Sequence, residues 1–196
     1  MKRILPAVLI LLLALGLIWV AFYWQPEAPP AVVDDAPKGG DFQLQSADGP
    51  VSLKDYRGKV VVIYFGYTWC PDVCPTSLGM LSAALNELTE EELSRFQALF
   101  ISVDPERDSV ERLKEYGAYF HPSILGITGT PEQLQQVAKQ YGAAYRIVKQ
   151  DSAAGYLVDH SADLYVVDKQ GRLAEAIHHG TPPEKILEVL RRYLSE

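Results

Sequence analysis

Val60-Val61-Val62-Ile63-Tyr64-Phe65 is an unbroken apolar run in which four of six residues are β-branched. With no polar position to face water, it predicts a strand covered on both sides, and so a sheet layered between helices. The flanking sequence follows the same plan. Leu78, Leu81, Leu85 and Leu88 recur at helical spacing, with Pro75 near the first turn, where a missing N–H costs nothing. Ala98 to Val103 is a second buried strand. Asp108 or Ser109 then caps a helix bearing Val110, Leu113 and Tyr116, and a short strand spans Ile124 to Ile127. Thr130-Pro131-Glu132-Gln133 is a capping box; it opens a helix through Leu134, Val137, Ala138 and Tyr141 that Gly142 stops. Leu164–Val167 and Leu173–Ile177 straddle Asp168-Lys169-Gln170-Gly171 as a hairpin, and Thr181-Pro182 caps a last helix through Ile186, Leu187, Leu190 and Leu194. An earlier hairpin joins Phe42–Leu44 to Val51–Leu53 around Asp48-Gly49. Strands alternating with helices predict an α/β fold with a central, mostly parallel sheet flanked by helices.

Before this domain lies a segment of another kind. Ile4 to Trp24 carries no charge, follows Lys2-Arg3, and ends in Trp19, Phe22, Tyr23 and Trp24. As a helix it would be about 31 Å long, enough to cross a bilayer, with an aromatic belt at its far end and its basic end in the cytoplasm. The run exceeds a signal-peptide core and lacks a small-x-small site, so an uncleaved membrane anchor is expected over residues 1–24. No cysteine precedes Cys70, which argues against lipid attachment. Residues 25–40, with Pro26, Pro29, Pro30 and Pro37, read as a flexible linker. Residues 41–196 form the folded domain, expected outside the cytoplasm, in the periplasm or an equivalent space. Beyond residue 24, 16 basic side chains face 25 acidic ones, a balance that repels phosphate backbones and argues against nucleic-acid binding.

The chain has two cysteines, both in Cys70-Pro71-Asp72-Val73-Cys74-Pro75, directly after the first buried strand. In a sheet of this type, sites lie beyond the carboxyl ends of the strands. Both sulfurs fall near a helix N-terminus, which favours thiolates. In an oxidising compartment the pair can cycle as a disulfide or hold a soft metal; three intervening residues suit either. Two thiolates underfill most metal sites, so a third ligand is sought among four histidines. His178 and His179 are adjacent at a strand end and point to opposite faces. His121 precedes Pro122 in a connecting loop, as a solvated or capping group. His160, in Asp159-His160-Ser161-Ala162, sits in a loop that can approach the cysteines; a structural and a ligating role both stay open. Asp72 and Asp159 are candidates for orienting ligands, or equally for solvated loop carboxylates.

Gly66-Tyr67-Thr68-Trp69-Cys70-Pro71-Asp72-Val73-Cys74-Pro75 resembles the signature of the SCO/SenC copper proteins. Ile101-Ser102-Val103-Asp104-Pro105-Glu106-Arg107-Asp108, Leu125–Thr130 and Val158-Asp159-His160-Ser161 are similar to the same family, and the resemblance runs from about Phe42 to the C-terminus. It implies a thioredoxin-like fold and a copper site made by Cys70, Cys74 and His160. It further implies a metallochaperone rather than an enzyme, delivering copper to the dinuclear copper site of cytochrome c oxidase subunit II. An upstream copper donor or thiol reductant would be a second partner. The competing expectation is a thiol-disulfide oxidoreductase that reduces the receiving subunit's cysteines, with Cys70 as nucleophile and Cys74 as resolving thiol. A peroxidase on this fold would need a single activated cysteine beside a Thr or Gln/Trp cluster, of which Thr68-Trp69 is a partial echo.

Overall fold

The structure, a computed structural model, describes residues 12, 13, 15, 16, 19, 37–149 and 155–196. The chain divides into two units, Met1–Asp35 and Ala36–Glu196. In the first, Leu12, Leu13, Leu15, Gly16 and Trp19 are helical, and the three leucines and Trp19 are exposed. Among the described residues, no helix is long and apolar enough to cross a membrane. Most of the expected span from Ile4 to Trp24, and the linker up to residue 36, lie outside the described residues.

In the second unit, β1 (Gln43–Ser46) and β2 (Gly49–Ser52) form the expected first hairpin. It turns on Ala47-Asp48, one residue earlier than the Asp48-Gly49 pattern suggests, because Gly49 already pairs with Ser46. A 3-10 turn over Leu53–Tyr56 leads to β3 (Val60–Gly66), all of whose residues are buried. Then come α1 (Val73–Leu85), α2 (Glu90–Ser94), β4 (Phe96–Ser102), α3 (Val110–Phe120), β5 (Ile124–Ile127) and α4 (Pro131–Tyr141). The chain ends with β6 (Tyr145–Lys149), β7 (Tyr156–His160), β8 (Leu164–Val167), β9 (Leu173–Ile177) and α5 (Pro183–Ser195).

Five strands make the central sheet in the order β5-β4-β3-β8-β9. β3, β4 and β5 are parallel, whereas β8 runs antiparallel to β3 and β9 antiparallel to β8. The sheet is therefore mixed, not mostly parallel. Parallel neighbours require long crossovers, here α1–α2 and α3, while the short turn at Asp168–Gly171 can only reverse the chain. Helices cover both faces, as the apolar β3 run requires. Tyr64 faces Phe100 and, beyond it, Tyr116 of α3; Phe65 faces Tyr141 of α4. α5 packs along α1.

Local chemistry explains the helix ends. Thr130 and Gln133 form the expected capping box, and Gly142 ends α4 in the left-handed region at φ 69°, which favours glycine. Ser109, not Asp108, caps α3. α5 starts from Pro182 without a side-chain cap, because the Thr181 hydroxyl donates to the His178 carbonyl instead.

β6 and β7 form a separate two-stranded sheet absent from the sequence-based plan. His160 consequently ends a strand, paired with Tyr145, and does not lie in a free loop.

Candidate metal centre

Cys70 lies in the loop between β3 and α1, and Cys74 in the first turn of α1. That loop leaves the carboxyl end of β3 and is pinned by Asp108, which is 1% exposed. Its carboxylate accepts the Thr68 N–H at 2.9 Å, the Thr68 hydroxyl at 2.5 Å and the Ser102 hydroxyl at 2.6 Å. A buried carboxylate needs such donors, and here they tie the loop to the end of β4. The Cys70 N–H donates back to the Tyr67 carbonyl, closing a turn that presents Cys70 at 9% exposure. Cys74 is fully buried. Its sulfur sits over Gly66, where an added Cβ would stand 2.7 Å from Sγ; the absence of a side chain there makes room for the thiol.

His160 reaches this pair from β7. Its Nε2 is 3.3 Å from Cys74 Sγ, and its Nδ1 is 2.9 Å from the Ser161 carbonyl oxygen. A carbonyl only accepts, so Nδ1 carries the proton and Nε2 turns its lone pair toward the sulfurs. Tyr64 and Tyr67 meet the imidazole edge-on, at 6.2 and 5.8 Å between centroids, and fix its plane. The ligand atoms of Cys70, Cys74 and His160 all lie within 4.8 Å of one another, the one trio among the described residues to converge in this way.

The two thiols, both free, differ electrostatically. The hydrogen bond with Cys74 pulls the Cys70 thiol far below its ordinary value against its partial burial, helped by His160 and by the Asp72 and Cys74 N–H groups. Burial pushes Cys74 up, and the adjacent Cys70 thiolate adds to the effect. Burial opposes the charged form of His160, but the hydrogen bonds with Cys70 and the Ser161 carbonyl outweigh it and raise its pKa. The proton-poor sulfur is thus the more open one, and the sulfur beneath it is a reserve held as thiol.

The other sequence candidates do not join this centre. His178 is exposed and 3.3 Å from Asp163; His179 bonds Ser77 at 2.8 Å. His121 ends α3, buried rather than solvated, and its Nδ1 accepts the Ser123 N–H. Asp159 points away from His160 into an exposed ion pair with Arg146, and Asp72 makes no side-chain cap bond. From the sequence, Tyr64, Gly66, Tyr67, Asp104, Arg107 and Tyr156 carry no assigned role, and Asp108 reads only as a helix cap, whereas its carboxylate pins the cysteine loop. Apart from Tyr156, these stand in the quoted motifs, but only their long-range partners reveal what they do.

Two sulfurs and one imidazole nitrogen beyond the carboxyl end of the central strand define a thioredoxin-type α/β domain with a dithiol–imidazole centre. This chain belongs to the SCO1/SenC family, whose sequence model matches residues 31–195. It is 39% identical over 158 residues to the bovine (Bos taurus) protein SCO2 homolog, mitochondrial, matching 80% of this chain and 59% of that one. The chain thus spans less than two thirds of that relative's length. Among solved structures it is similar to apo Sco1 from Thermus thermophilus (40% identity, TM-score 0.72, covering 80% of this chain and 91% of that one). It is equally similar to Bradyrhizobium japonicum ScoI with copper bound (38% identity, TM-score 0.72, covering 79% and 98%).

Proposed function

We propose that this protein is a membrane-anchored copper metallochaperone, which binds copper through Cys70, Cys74 and His160 and delivers it to the dinuclear copper site of cytochrome c oxidase subunit II. The observation that carries the reading is the convergence of the three ligand atoms within 4.8 Å, with the Nδ1 bond to Ser161 making Nε2 the ligating nitrogen of the neutral imidazole. The donor set suits copper: thiolates select Cu(I), and imidazole also tolerates Cu(II). Two thiolates and a neutral imidazole leave the complex singly negative with Cu(I) and neutral with Cu(II), so neither state places a large net charge in the site. Copper-bound Bradyrhizobium japonicum ScoI, 38% identical, supports the same cargo. Three protein ligands leave a position for an incoming thiolate, and Cys70, the more open sulfur, is the ligand an acceptor meets first. The uncharged segment Ile4–Trp24 supplies the anchor in the cytoplasmic membrane, with the N-terminus inside and the domain in the periplasm or an equivalent space.

The asymmetry of the sulfurs favours a second, compatible role. The Cys70 thiolate attacks a disulfide of the receiving subunit and forms a mixed disulfide. Cys74 then gives up its proton and attacks the Cys70 sulfur, releasing a reduced partner and leaving an internal disulfide that a thiol reductant must reopen.

Copper titration of the full chain in detergent, followed by absorption and electron paramagnetic resonance, tests the reading. Wild type should take up one copper per chain, Cys70→Ser and Cys74→Ser should abolish tight binding, and His160→Ala should weaken it and alter the Cu(II) spectrum. Wild-type affinity and spectrum in His160→Ala would overturn the three-ligand site, and rapid turnover of a generic disulfide would favour the reductase.

A further inference from the structure

The third ligand stands on a two-stranded sheet of its own, outside the central sheet. Among the described residues, β6 and β7 pair only with each other, and of the strand residues whose burial is described, only Val158 is buried. What holds this hairpin against the cysteine loop is a small polar cluster. Arg107 Nη1 donates to the Tyr156 carbonyl at 3.0 Å, and its guanidinium lies 3.6 Å from the centroid of the Tyr156 ring. Arg107 Nε donates to Asp104 Oδ2 at 2.5 Å, and the Tyr156 hydroxyl donates to Asp104 Oδ1 at 2.7 Å, closing a triangle. The Asp104 side chain is 2% exposed and that of Arg107 17%, so the ion pair is largely out of water. The Asp104 N–H is itself bonded to the Ser102 hydroxyl at the end of β4, which makes the central sheet the anchor. One further bond lies two residues along: the Val158 N–H donates to the Tyr67 hydroxyl at 3.3 Å.

Tyr156, Val158 and His160 share one face of β7, because side chains alternate along a strand. Gripping the strand at 156 and 158 therefore sets where 160 arrives. We propose that Asp104, Arg107, Tyr156 and Tyr67 form a clasp that positions His160 against the two sulfurs: closed, it completes the three-ligand site, and open, it leaves a two-thiolate site. The inference rests on the reading of His160 as a copper ligand. The clasp lies outside the central sheet, so loosening it moves the ligand while leaving the main core in place. Partners that orient a metal-binding histidine commonly change metal affinity by about 10–100-fold when removed.

The test measures copper affinity of the full chain, with Cu(I) by competition against a chromophoric chelator and Cu(II) by electron paramagnetic resonance. Arg107→Ala, Arg107→Lys and Tyr67→Phe are each made alone and combined with His160→Ala. Arg107→Ala should weaken binding about 10–100-fold and shift the Cu(II) spectrum toward that of His160→Ala. Arg107→Lys should recover part of the loss, because it keeps a cation over Tyr156. Tyr67→Phe, which removes one hydroxyl and keeps the ring, should weaken binding less and serves if Arg107→Ala does not fold. Combined with His160→Ala, none of the three should have any further effect. Unchanged affinity in both Arg107→Ala and Tyr67→Phe would overturn the clasp while leaving His160 a ligand, as would equal losses with and without His160. Wild-type affinity in His160→Ala would remove the ligand reading itself, and the clasp with it.

Discussion

Gly66→Ala places a methyl group where the structure has least room beside the centre. The new Cβ would stand 2.7 Å from Cys74 Sγ, 2.9 Å from Phe100 Cε2 and 3.2 Å from Tyr64 Cε1, against roughly 3.5–4.0 Å for an ordinary contact between carbon atoms. Gly66 cannot easily retreat, because it pairs with Ser102 of β4 and its carbonyl accepts the Val103 N–H at 2.8 Å. Phe100 and Tyr64 are buried and stacked on one another. The Cys74 sulfur, on the first turn of α1, is the neighbour free to yield, and it must move by about 1 Å. Overpacking of this kind costs about 1–3 kcal/mol, or a fall in Tm of roughly 2–12 °C for a domain of this size. A site tolerates displacements of about 0.5 Å, so copper affinity should fall about tenfold or more. Calorimetry of the metal-free protein and chelator competition read the two effects separately. Gly79→Ala is the control: nothing lies within 4 Å of its added Cβ in the middle of α1, so it should gain about 0.5–1 kcal/mol and leave copper affinity alone. Lost stability with unchanged copper affinity would mean that the rings yield and the sulfur does not. Unchanged stability would refute the packing argument itself.

Two further outcomes follow from the electrostatics. Iodoacetamide should alkylate Cys70 well before Cys74, and the rate should stay nearly flat from about pH 8 to pH 6, where an ordinary thiol slows about tenfold per unit; peptide mass spectrometry reads this, and equal labelling of both cysteines would contradict the assigned asymmetry. Burial holds the His121 imidazole below its ordinary value of 6.5, so the unfolded chain takes up that proton first as pH falls. The stability due to neutral His121 is full above 6.5 and lost as pH drops through the lower folded value. Denaturant unfolding between about pH 7 and pH 5 should show a shallower fall in His121→Asn, whose amide oxygen can still accept the Ser123 N–H, and equal slopes would refute the assignment.

What could be read in advance was local. β3 announces itself because a strand buried on both faces has no polar position, and α4 because its capping box and terminal glycine lie within its own residues. α2 carries the same signature in Thr89 and Glu92, yet at five residues it is too short to show an apolar period. β6 and β7 are not legible in the sequence because short strands with so little buried surface have almost no hydrophobic pattern, and their existence depends on pairing with each other. The antiparallel half of the sheet is hidden for a related reason: a hairpin is visible in sequence, but the strand it docks against is not.

By itself, the sequence determined the strand that carries the dicysteine loop, the helices around it and the pairing of two thiols at a helix N-terminus, all set by contacts within a few residues. Residue spacing left the third ligand open and the family resemblance pointed to His160, but only the tertiary structure brings that histidine to the sulfurs. His160 lies 86 residues from Cys74 along the chain, and its arrival depends on Tyr67, Asp104 and Arg107 gripping a hairpin from another part of the fold. Side-chain periodicity fixes which face of β7 His160 shares, but no local rule fixes what that face touches. Long-range hydrogen bonds and an ion pair shielded from water make that choice.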